Sequence, residues 1–140
     1  FFREAGHRAA GSGVTLCIEP CPGESSRDFV VDSREGLELV RRVDSPGFGL
    51  HLDTAAMTLS GEPLPEAIQA CCGELRHFHA SEPGLRPPGR GQVAHERFAG
   101  ALRSSGYSGW VSLEMLGDPD GDSLVELRRA LTLLRTHYGP

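Results

Sequence analysis

The sequence predicts an α/β fold made of four consecutive strand–helix units. Three observations carry this: strand-like and helix-like segments alternate along the whole chain, they do so at the spacing of repeated βα units, and each strand sets its polar residues on one face. Parallel strands joined by helices follow, because a helix is the usual crossover between parallel neighbours.

The first strand is VTLCIEP, residues 14–20, ending on a carboxylate, Glu19. After a Gly/Ser-rich loop, Asp32 and Glu35 have capping-box spacing, and Leu37, Val40 and Val43 form a helical stripe. GFGLHLDT, 47–54, is the second strand. Pro63 and Pro65 open a helix whose apolar face is Leu64, Ala67, Ile68, Cys71 and Cys72, closed by Gly73. LRHFHASE, 75–82, is the third strand, followed by the loop RPPGRGQV and a helix carrying Phe98 and Leu102 that stops at Gly106. GWVSLEM, 109–115, is the fourth strand, and Asp122 caps a last helix with Leu124, Leu127, Leu131 and Leu134 along one side. The first residues read as the tail of an amphipathic helix ended by Gly11 and Gly13. With no initiator methionine, this raises the expectation of a piece of a longer protein.

Four units make one domain over 1–140 and half of an eight-stranded barrel, with a small flavodoxin-like sheet as the structural competitor. Side-chain phase discriminates. Alternate residues of a strand share a face, so counting back by twos gives Glu19, Cys17, Thr15; Asp53, His51, Gly49; His79, His77, Leu75; and Glu114, Ser112, Trp110. The other phase is mostly apolar, with Arg76 and Ala80 its weaker members. The apolar phase belongs under helices. The polar phase faces a shared interior and sets Glu19, Asp53, His79 and Glu114 at the C-terminal strand ends, where barrel enzymes keep their sites. Three carboxylates and one imidazole suit a hard divalent ion, Mn²⁺, Mg²⁺ or Co²⁺, with Zn²⁺ also admitted; the charge of the ion offsets the crowding of the acids.

Composition narrows the function classes. The 140 residues carry a net charge of −5, no long apolar run and no lysine, so Schiff-base chemistry and a P-loop have no residue to carry them. Acidity offers nothing to nucleic acid, and neither a membrane span nor an export signal is visible. The four cysteines lack paired CxxC spacing and read as reduced thiols of a cytoplasmic protein. His51 and His77 lie one layer below the strand ends as barrel filling or supporting partners. His95 reads as a surface residue, and Arg41 and Arg42 as a solvated helix face.

The run IEP…LDT…HFHASE…PPGRGQV…GYSGWVSLE resembles the C-terminal half, strands five to eight, of xylose isomerase-like TIM barrels. The closer likeness is to the sugar-phosphate isomerase/epimerase group. The resemblance implies one divalent ion held by Glu19, Asp53, His79 and Glu114, with Glu19 and Glu114 also the acid/base pair and Arg86 a substrate contact. The activity implied is isomerisation or epimerisation of a sugar, sugar phosphate or polyol by proton transfer through a metal-stabilised enediolate. The group commonly has histidine three residues after the second-strand aspartate; here Ala56 stands there. Two other readings follow: a barrel-derived binding protein without turnover, and an apurinic-site endonuclease-like metal enzyme, for which the histidines and the basic surface are lacking. The expected partners are a small sugar substrate and, to close the barrel, an N-terminal half or a second copy of the chain.

Overall fold

A computed structural model describes residues 1–23, 29–117 and 121–139. The elements run α1 (Phe2–Gly11), β1 (Leu16–Ile18), α2 (Ser33–Val43), β2 (Phe48–Asp53), α3 (Thr54–Leu59), α4 (Leu64–Cys71), β3 (Leu75–Ala80), a 3₁₀ turn (Pro83–Leu85), α5 (His95–Ser105), β4 (Val111–Leu113) and α6 (Ser123–Tyr138). All four strands are parallel and pair in chain order, β1-β2-β3-β4. A flavodoxin-like sheet would insert β1 between its neighbours; sequential order is the barrel pattern.

The apolar phase carries the core. Leu50, Leu52 and Phe78 are buried with Leu37, Val40 and Val43 of α2, Ile68 and Cys71 of α4, and Phe98 and Leu102 of α5. Each such side chain contributes roughly 1.5–3 kcal/mol by leaving water. Asp32 caps α2 by accepting the Glu35 N–H at 2.7 Å. The reciprocal arm of the capping box differs, because Glu35 reaches past Asp32 to the Val31 N–H at 3.0 Å. Arg41 and Arg42 are exposed, as the sequence indicates.

Two expectations are corrected. α6 buries only Leu134 of its leucine stripe: Leu124, Leu127 and Leu131 are exposed, while Glu126 and Ala130 face the protein with Leu134. Buried Glu126 makes that turn possible by pairing with Arg90 at 2.8 Å and Arg129 at 2.9 Å. The second correction concerns β3. Leu75 pairs with Leu50, but His77, not Arg76, pairs with His51, so one extra residue is inserted. At such a bulge two residues of one strand oppose one of the other. Leu75 therefore joins the buried apolar cluster instead of sharing the face of His77 and His79. Arg76 leaves the apolar phase and lies over Gly49, where a Cβ would overlap its side chain. Downstream, Leu52 meets Phe78 and Asp53 meets His79.

Candidate functional site

The bulge brings the polar residues of β2 and β3 level, and the strand ends complete the cluster. One donor atom each from Glu19, Asp53, His79 and Glu114 lies within 4.8 Å of the others. His79 Nδ1 is 3.2 Å from Glu114 Oε2 and 3.8 Å from Glu19 Oε1. All four residues that the sequence places at the strand ends thus meet at one point.

Asp53 is the most firmly held. It is buried, and its Oδ1 accepts the Ala56 N–H at 2.8 Å, making it the N-cap of α3. Oδ2 accepts the Ser81 hydroxyl at 2.5 Å. Ser81 is itself fixed, since its N–H donates to Thr54 Oγ1 at 2.8 Å and its carbonyl accepts the Thr54 hydroxyl at 2.7 Å. β2 and β3 are thus latched just beyond their last ladder pair, and the carboxylate has one orientation.

Crowding shows in the electrostatics. Burial, reinforced by the negative charges of Asp53 and Glu114, pushes the Glu19 carboxyl up to about 7. His51 is pushed down to about 3 by burial and by the neighbouring imidazoles of His79 and His77. Its buried Nε2 has no hydrogen-bond partner and stands 3.6 Å from Glu19 Oε1. Three acids gathered beside an imidazole nitrogen form a donor set that a divalent cation fits, because its charge relieves the repulsion that raises Glu19.

The loop after β3 holds a group the sequence reading missed. Glu82 is almost wholly buried, and it accepts the N–H groups of Val93 at 3.1 Å and Gly89 at 3.4 Å. His95, read from sequence as a surface residue, is buried instead, with Nε2 3.4 Å from Glu82 and Nδ1 2.9 Å from the Tyr138 hydroxyl. Burial of this imidazole lowers its pKa, although the Glu82 charge pulls it back up. The signal available in sequence was the glycine pair: Gly89 takes φ 92°, and a Cβ at Gly91 would overlap the Glu82 carboxylate. Gly91→Ala is expected to cost about 1–3 kcal/mol, the usual range for forcing atoms into a packed site, checked by the shift of the urea midpoint.

The two arginines of this loop differ in their ties. Arg90, which borders the same hollow as Arg86, is held by Glu126 of α6. Arg86 is exposed and opens on a hollow of about 330 Å³ with Leu85, Pro87 and Leu116. That hollow is bounded by the segment after β4, where the Leu116 N–H donates to the Leu85 carbonyl at 2.8 Å. Ala56 sits in the first turn of α3 with no side chain beyond Cβ.

The chain is similar to known proteins over most of its length. D-psicose 3-epimerase of Ruminiclostridium cellulolyticum is 30% identical over 112 residues, 80% of this chain and 38% of that protein. D-psicose 3-epimerase of Agrobacterium fabrum is 30% identical over 102 residues, 73% of this chain and 35% of that protein. The crystal structure of a D-psicose 3-epimerase in the presence of D-fructose superposes with a TM-score of 0.90 at 24% identity, covering 99% of this chain and 54% of that one. The chain therefore spans about half of the solved relative and little more than a third of the curated ones. The profile of the xylose isomerase-like TIM barrel family matches residues 1–137, and the chain belongs to that family.

Proposed function

We propose that this chain supplies the metal-binding half, strands five to eight, of a ketose 3-epimerase or closely related sugar isomerase. The observation that carries the reading is the convergence of Glu19, Asp53, His79 and Glu114. The likeness to ketose epimerases supplies the substrate class. In the same reading, an N-terminal half-barrel or a second copy of the chain covers the free edges of β1 and β4.

When bound, a divalent ion supplies a Lewis acid that acidifies the C–H between a ketose carbonyl and its neighbouring hydroxyl. Asp53 and His79, on the two central strands, would hold the ion together with Glu19 and Glu114. Glu19 and Glu114, on the two outer strands, stand on either side of them and divide the proton work: one carboxylate removes the proton and the other returns it from the opposite side. Arg86 binds a substrate oxygen from the loop above. Asp53 keeps its orientation through the cycle because Ser81 and the α3 backbone fix both of its oxygens.

A direct test incubates the Mn²⁺-loaded full-length protein in D₂O with D-fructose, D-psicose, D-tagatose and L-ribulose. Deuterium should appear at C3 together with the C3 epimer. Metal binding without exchange on any ketose would favour the binding-protein reading, which Ala56 already supports. A charge argument adds a second expectation. The ion must displace the proton that Glu19 retains up to about pH 7, so affinity rises with pH below that value and levels off above it. The slope should be about one decade per pH unit if a single proton is released. Calorimetric Mn²⁺ titrations at pH 5.5, 6.5 and 7.5 check the sign.

A further inference from the structure

His51 and His77, one layer below the strand ends, form a second group with His79. Their ring centroids are 4.0 Å apart for His51 and His79, 5.0 Å for His51 and His77, and 5.1 Å for His77 and His79, all edge to face. One nitrogen from each lies within 4.8 Å of the others. His51 is buried, and its Nε2 has no hydrogen-bond partner. A buried polar nitrogen left unpaired costs about 1–3 kcal/mol, so this atom is better satisfied by an occupant than by the protein alone.

We propose that these three imidazoles form a second cation seat, distinct in chemistry from the carboxylate cluster and overlapping it through His79. Imidazole donors suit Zn²⁺, Cu²⁺ or Ni²⁺, whereas carboxylate oxygens suit Mn²⁺ and Mg²⁺. Glu19, 3.6 Å from His51 Nε2, is placed to add a fourth donor to the imidazole seat. The β3 bulge makes the seat possible by setting His77 level with His51. His79 turns its Nδ1 toward Glu114 and Glu19, and a neutral imidazole has a single lone-pair nitrogen to give, so it serves one seat at a time. The seats therefore compete. A borderline ion draws His79 away from the carboxylate site, and the identity of the ion sets which seat is filled. The inference shares His79 with the proposed catalytic site but does not depend on that site being catalytic.

Zn²⁺ and Mn²⁺ titrations by calorimetry on the full-length protein, with Co²⁺ absorption as a coordination reporter, test this on wild type, Asp53→Asn, His77→Asn and the double variant. Asp53→Asn should lose Mn²⁺ yet still take up one Zn²⁺ per chain. Adding His77→Asn should weaken that Zn²⁺ at least about tenfold, since even outer partners of metal ligands are worth 10–100-fold. His77→Asn alone should leave Mn²⁺ binding within about threefold of wild type, because His77 lies outside the carboxylate set. His77 is only half-buried, and His77→Gln with far-UV circular dichroism guards against a folding defect. Zn²⁺ affinity indifferent to both His77 substitutions, or Zn²⁺ binding abolished by Asp53→Asn alone, overturns the proposal. Absence of Mn²⁺ binding in wild type beside His77-dependent Zn²⁺ binding would sink the carboxylate reading and leave this one standing.

Discussion

Asp53→Ala is expected to weaken Mn²⁺ binding by at least about 100-fold, the upper range for losing only a partner of a ligand. Activity on any ketose should vanish with it. The size of the effect follows from how Asp53 is held. The other two acids are about 40% exposed at their side chains and can swing toward water, while Asp53 is buried and fixed at both oxygens. It is the fixed point against which the others adjust. The same substitution removes the cap of α3, worth about 0.5–2 kcal/mol, so lost stability could be mistaken for lost ligation. Asp53→Asn separates the two: its amide oxygen can still accept the Ala56 N–H, but the charge is gone. An Asn variant that unfolds like wild type and binds no Mn²⁺ places the effect on the charge. One that binds Mn²⁺ normally removes Asp53 from the ligand set.

Glu82→Ala is expected to produce the largest loss of stability, about 1–3 kcal/mol for each of the two backbone N–H groups that it leaves without an acceptor. The carboxylate accepts two backbone N–H groups of the glycine loop and faces His95. Truncation to alanine leaves those donors without their carboxylate acceptor and opens a space between the loop and α5. Glu82→Gln keeps one acceptor oxygen and should fall between alanine and wild type. Chemical denaturation with a constant m-value checks both. An alanine variant within about 0.5 kcal/mol of wild type would show that water or a rearranged loop replaces the carboxylate. His95 responds in the same experiment. Its hydrogen-bonded neighbour Tyr138 belongs to α6, so losing Glu82 should loosen the contact between α5 and α6.

Much of the site was legible in the sequence, and for one reason. A strand that ends on a carboxylate or histidine, with an apolar opposite phase, specifies both which face is interior and at which end the polar groups gather. Glu19, Asp53, His79 and Glu114 needed nothing more. The short helix α3 was not legible, because six residues give too few turns to show a period. Glu82 and His95 were missed because a buried acid looks like a surface one until the glycines that clear space for it are mapped. The leucines of α6 are a true stripe, yet Glu126 and its arginines turn that helix another way.

The extra residue in β3 deserves a reading in terms of parity. LRHFHA alternates in sequence as if it were one regular strand, but in space it is two half-strands of opposite parity joined at Arg76. Deleting Arg76 would hardly change composition or strand propensity, and it would exchange inside and outside upstream of the deletion: Leu75 or the ligand-side histidines would have to face the wrong way. The segment thus tolerates changes of residue type at that position far better than changes of length. An odd count, kept by a residue that holds no ion and packs in no core, stores the phase relation between the core and the site.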